Sequence, residues 1–185
     1  MSPTEAAWQT TPLPGVLRRQ GTAQADGRGA FSELWRASWT ALLDDAPFVQ
    51  ANLSRSAPHV LRGLHVHRHQ ADLWTIVAGE GLVGLVDLRA AVAGSGPPRT
   101  AVLPVTVGDQ VFIPRLVAHG FYARVELTLF YLVTAEYDGT DELGFAWDDA
   151  AAAVPWPDRA PILSERDRTN PPLAELLDRL RLNRG

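Results

Sequence analysis

The 185-residue chain contains no cysteine. It therefore has no disulfide framework, no thiolate nucleophile and no cysteine metal ligand. It also lacks lysine: all 17 basic residues are arginine. Schiff-base chemistry and any lysine-held phosphate or oxyanion are excluded by that alone. No apolar run approaches the roughly 20 residues of a membrane span, and the first residues lack the pattern of a secretory signal. A net charge of −4 and a pI near 5.7 leave no basic footprint for nucleic acid. The expectation is a soluble cytoplasmic protein with neither membrane nor nucleic acid as partner.

What is present is concentrated in residues 60–81, VLRGLHVHRHQADLWTIVAGEG. Arg62, the histidines His65, His67 and His69, and Asp72 lie there between two apolar, β-branched runs. His65 and His67 are two residues apart, which on a strand puts both on one face. Asp72 precedes an apolar strand ending at the turn Gly79-Glu80-Gly81. A second polar island, residues 114–121 (PRLVAHGF), brings His119 to the end of another strand.

The rest reads as short strands punctuated by glycine and proline. Residues 1–14 are expected to form an extended arm. A tight turn at 26–29 precedes a strand over 30–35, and a short helix is expected over 39–43. Strands follow at 48–54 and 82–88, then a loop at 90–100. Further strands are expected at 100–107, 110–113 and 126–134, with Gly108-Asp109 as a hairpin turn. Near the C-terminus, Asn170 can cap a helix whose Leu173, Leu176, Leu177 and Leu180 recur at helical spacing. Many short strands and one late helix point to a single all-β domain over 1–185, a jelly-roll barrel with a C-terminal helix.

Several segments, in order, carry a resemblance. They are RGAFSE at 28–33, FVQAN at 48–52, VLRGLH at 60–65, VDLR at 86–89 and AHGF at 118–121. Tyr131, Tyr137, Glu142, Trp147, Trp156-Pro157 and LSERD at 163–167 continue the series. Together they resemble the dTDP-4-dehydrorhamnose 3,5-epimerase family, dimeric jelly-roll proteins of the cupin class, from residue 28 to about 167. The resemblance implies a nucleoside-diphosphate 4-keto-6-deoxy sugar as substrate, a place in deoxysugar biosynthesis, and a homodimer. It implies that His65 removes a proton beside the C4 ketone, that Asp167 holds His65, and that Tyr131 reprotonates from the other face. Arg28, Glu33, Gln50 and Asn52, with Arg62, His119, Glu142 and Arg166, match positions that contact nucleotide and sugar. An imidazole with an ordinary pKa of about 6.5 suits the base, and guanidinium forks suit a diphosphate.

Three positions depart from the family pattern. Asp72 stands where the family has a lysine at the enolate oxygen, His67 where it has glutamine, and Glu136 where a tyrosine stacks on the base. No cofactor is expected under the epimerase reading. The alternative is a divalent metal held by His65, His67, Asp72 and His119, whose spacing matches that of metal-binding cupins. A non-catalytic protein that only binds the nucleotide sugar is a third reading. Simpler roles compete residue by residue: His65 and Tyr131 as core, and Arg166 with Asp167 as a surface ion pair.

Overall fold

The computed structural model describes residues 7–43 and 46–182. The elements run β1 (Gln9–Thr10), β2 (Leu17–Gln20), β3 (Ala23–Asp26), β4 (Gly29–Ser32), a 3-10 helix (Ala37–Leu42), β5 (Gln50–Ser56) and β6 (Leu61–Val66). They continue with β7 (Asp72–Ala78), β8 (Glu80–Asp87), α1 (Arg89–Ala93), β9 (Arg99–Thr106), β10 (Asp109–Ile113), β11 (Val117–Ala123) and β12 (Leu127–Val133). β13 (Leu143–Gly144), α2 (Glu165–Thr169) and α3 (Leu173–Leu182) complete the order.

Two antiparallel sheets face each other in a cupin-type jelly roll, with strand orders β1-β2-β10-β7-β12-β5 and β13-β6-β11-β8-β9. Strand alternation sorts the residues. Trp74 and Ile76 of β7, Val111 and Ile113 of β10, and Val83 and Leu85 of β8 fill the space between the sheets. The intervening Leu73 and Phe112 point outward, where Trp39 and Leu43 cover them. The outer face of the other sheet, with Leu64, Val66 and Val86, is covered by Leu173, Leu176 and Leu180 of α3. β3 and β4 form a separate two-stranded sheet, exposed along its length, with Phe31 68% accessible.

Several expectations are corrected. The 90–100 segment is not all loop: α1 occupies its start and β9 begins at Arg99. His119 lies in the middle of β11 rather than at a strand end. The strand expected over 30–35 ends at Ser32, and the short helix is a 3-10 turn beginning at Ala37. Gly108-Asp109 makes a turn but not a hairpin, because β9 pairs with β8 while β10 pairs with β2 and β7 in the opposite sheet. Asn170 terminates α2 instead of capping α3; the Leu173 amide at the start of α3 donates to the Asp149 carboxylate at 2.8 Å. Of the expected N-terminal arm, residues 1–6 lie outside the described residues, and Gln9–Thr10 joins the sheet as β1.

The feature that places the site is a bulge between β6 and β11. His119 pairs with His65 and Phe121 with Arg62, so two steps on β11 oppose three on β6. The extra residue includes Gly63, whose φ is +120°. A Cβ on Gly63 would sit 2.7 Å from the Gly120 Cα, and one on Gly120 would sit 2.6 Å from the Arg62 carbonyl oxygen. Only paired glycines allow this approach. Gly63→Ala is expected to cost about 1–3 kcal/mol from overpacking, with further cost from its backbone angle. Urea denaturation of the variant beside wild type measures it.

Candidate active site

Because of the bulge, Arg62 and His65 both face the interior although three residues apart, and His67 follows. They line a cavity of about 460 Å³ between the two sheets. β5 contributes Gln50 and Asn52 from the opposite sheet, and β12 contributes Tyr131. His119 of β11 and Asp72 of β7 form part of its wall, and Glu142 and Arg166 complete the rim. The alternation that buries Trp74 and Ile76 thus also sends Asp72 inward.

His65 Nε2 lies 2.6 Å from Asp167 Oδ1. Asp167 is buried at the third position of α2, where its amide donates to the Ser164 side chain in an N-cap. Burial would raise the Asp167 carboxyl; the His65 hydrogen bond and charge, then Ser164 and the Gly63 amide, outweigh it and hold the acid below 3.8. An ionised carboxylate can only accept, so Nε2 carries the proton and Nδ1 is left as the basic nitrogen. Asp167 is therefore a buried partner of His65 and not a surface acid. Arg166, next to it, pairs with Glu142.

Tyr131 lies on the other sheet. Its hydroxyl is held above 10 by burial, then by the charges of Asp72 and Glu142, with Arg62 opposing. It remains protonated, and so can donate. Around it, the Gln50 amide donates to Asn52 at 2.9 Å, Arg62 donates to Ser56 at 2.9 Å, and the Tyr137 amide donates to Gln50 at 2.9 Å.

A third group is formed by His67, Asp72 and His119, all buried, with one donor atom from each within 4.8 Å of the others. His65, the fourth member of the expected metal set, lies outside this group, its Nε2 being bound to Asp167. His119 is pushed down to about 4 by burial, opposed by Asp72 and reinforced by His67 and His65. Its contact with Asp72 is long, at 3.8 Å.

Arg28 and Glu33 do not reach the cavity of their own chain. Arg28 pairs with Asp26 in the exposed β3–β4 turn, and Glu33 pairs with Arg36. His69 is exposed. Sequence reasoning missed Gln70 and Trp74, which hold Asp72 at 2.8 and 3.0 Å, and Asp141, whose carbonyl holds His67 Nδ1 at 2.8 Å. Trp74, two residues after Asp72 on one strand, was detectable by period. Asp141 was not, since a backbone contact 74 residues away leaves no local signal. At the departed position Glu136, the cavity is lined instead by Tyr137, one residue on.

The dTDP-4-dehydrorhamnose 3,5-epimerase family model matches residues 10–175. The chain belongs to that family. A dTDP-4-dehydrorhamnose 3,5-epimerase of Neisseria gonorrhoeae is 35% identical over 162 residues, covering 85% of this chain. The chain spans about half of that relative, 49% of its length. Among solved structures, NovW, a 4-keto-6-deoxy sugar epimerase from the novobiocin cluster of Streptomyces spheroides, superposes with a TM-score of 0.83 at 31% identity, covering 96% of this chain and 92% of its own. RmlC from Legionella pneumophila, solved with dTDP-4-keto-L-rhamnose, gives 0.81 at 30% identity, covering 93% and 97%.

The His65–Asp167 pair carries a pH signature. A depressed carboxyl contributes stability that is full above its unfolded value near 3.8 and is lost as the pH falls through its lower folded value. Asp167→Asn should remove that part of the acid destabilisation. Denaturant midpoints at pH 5 and pH 3 for both proteins test this: the wild type should lose more between them than the variant.

Proposed function

We propose that the protein is an epimerase of a dTDP-4-keto-6-deoxyhexose, inverting C3, C5 or both, the carbons next to the C4 ketone. The observation that carries the reading is the position of two proton-transfer groups on opposed sheets, His65 on β6 and Tyr131 on β12. Nδ1 of His65 takes the proton from one face of the sugar, and the carbanion is delocalised onto the ketone oxygen. Tyr131 returns a proton to the other face, and the configuration inverts. Asp167 positions His65 and stabilises the imidazolium. Arg62, Arg166, Gln50, Asn52 and Glu142 supply donors and acceptors for the nucleotide and sugar, and His119 closes the inner wall. The Legionella relative's bound dTDP-4-keto-L-rhamnose supports the substrate class.

A homodimer is part of the proposal. The exposed β3–β4 sheet carries Arg28 and Phe31, with Glu33 just beyond it, away from the chain's own cavity. An edge of that kind is stabilised by a second copy, whose site Arg28 and Glu33 would then complete. The cytoplasm is the compartment we propose, since a cysteine-free chain gains nothing from an oxidising one.

Solvent deuterium wash-in tests the mechanism with a dTDP-4-keto-6-deoxyglucose substrate. His65→Ala should slow exchange at the sensitive carbon by on the order of 10²–10⁴-fold. Tyr131→Phe should instead retain exchange while losing inverted product. Wild-type exchange in His65→Ala would overturn the assignment. Light scattering should give twice the 20.1 kDa chain mass, and Phe31→Asp should shift it toward the single chain.

A further inference from the structure

An enolate oxygen is stabilised by positive charge or by hydrogen-bond donors, and this chain has no lysine to provide either. The two arginines of the cavity are engaged, Arg62 with Ser56 and Arg166 with Glu142. Deep in the same cavity lies a carboxylate, Asp72, 3% exposed. Among the described residues, its recorded partners are the Gln70 amide, the Trp74 indole and the His119 imidazole. A buried carboxylate held by an amide and an indole is a group that a bound cation would neutralise.

The two imidazoles beside it are set up for that. His67 Nδ1 is bound to the Asp141 carbonyl at 2.8 Å, and His119 Nδ1 to the Val117 carbonyl at 3.0 Å. Carbonyls only accept, so both rings carry their proton on Nδ1 and present the Nε2 lone pair. Their rings lie 5.4 Å apart and tilted by 36°, and the edge-on indole of Trp74 fixes the His119 ring. Backbone carbonyls orienting two histidines, and an amide and an indole orienting a carboxylate, form the outer layer that metal ligands require.

We propose that His67, Asp72 and His119 bind one divalent first-row transition-metal ion. With the three donor atoms within 4.8 Å of one another, some point lies within about 2.8 Å of all of them, against roughly 2.0–2.2 Å for zinc bonds to nitrogen and oxygen. Small side-chain rotations close the difference. Two imidazole nitrogens and one carboxylate oxygen suit Mn(II), Fe(II), Co(II), Ni(II) or Zn(II), and three protein ligands leave coordination positions open to the cavity. On the epimerase reading above, on which this last step rests, an open position would take the ketone oxygen and stabilise its developing charge.

Co(II) is the probe, because its visible absorption reports coordination directly. The full-length protein, stripped with chelator and titrated with Co(II), should develop a band that saturates at one ion per chain. His67→Gln and Asp72→Asn should each weaken binding by more than about 100-fold, beyond the loss from removing an outer-layer partner. His65→Ala should bind Co(II) like wild type, since His65 is occupied by Asp167. Thermal melting without metal checks that each variant is folded. Absence of a saturable band, or unchanged affinity in both ligand variants, overturns the site. Wild type that binds Co(II) but washes in no deuterium would refute the proposed reaction and leave the metal site standing. Full deuterium exchange without a Co(II) band would refute the metal site alone.

Discussion

A regular strand presents every second side chain to a cavity, yet this site draws Arg62, His65 and His67 from six consecutive residues. The close contact of Gly63 with Gly120 makes that possible. The surplus residue in β6 rotates the strand between Arg62 and His65, so both sides of the bulge face inward. The same contact sets His65 opposite His119 and brings the Gly63 amide to Asp167. A side chain at either glycine would push β6 off β11 and disturb the contact of His65 with Asp167.

Along each inward-facing strand, polarity changes from one end to the other. β7 runs from Asp72 to Trp74 and Ile76, β11 from His119 to Phe121 and Ala123, and β12 from Tyr131 back to Leu129 and Leu127. Site and core are one continuous interior that is polar where the cavity opens and apolar where the sheets close. The apolar end fixes the walls, and the polar groups at the other end are held by short hydrogen bonds rather than by packing. Outside, α3 presses on the back of β6 through Leu64 and Val66, so the C-terminal helix supports the strand that carries His65.

Much of the site was legible in the sequence because its residues sit at strand period or in short segments whose order identifies the family. His65, Asp167 and Tyr131 come together as expected, and so do Gln50, Asn52 and Arg62. Arg28 and Glu33 also lie in a recognisable segment, yet they pair with Asp26 and Arg36 away from the chain's own cavity. The α1 helix was hidden by glycines and prolines that in fact follow it. The jelly-roll crossing at Gly108 looks locally like a hairpin, since turn chemistry specifies reversal and not which sheet receives the next strand. The Asp141 carbonyl reaches His67 because the Asp141 carboxylate accepts from the Arg68 and His69 amides, a long-range match with no local signal.

The His65–Asp167 bond joins residues 102 positions apart. Closing so long a loop is entropically costly, and here it needs α2 docked against β6. A partly folded chain can hold His65 in β6 and still have an imidazole with no fixed tautomer. The docking of α2 is therefore a requirement of the site separate from the formation of sheet. A sample with native-like strand content can still lack the hydrogen bond that orients His65.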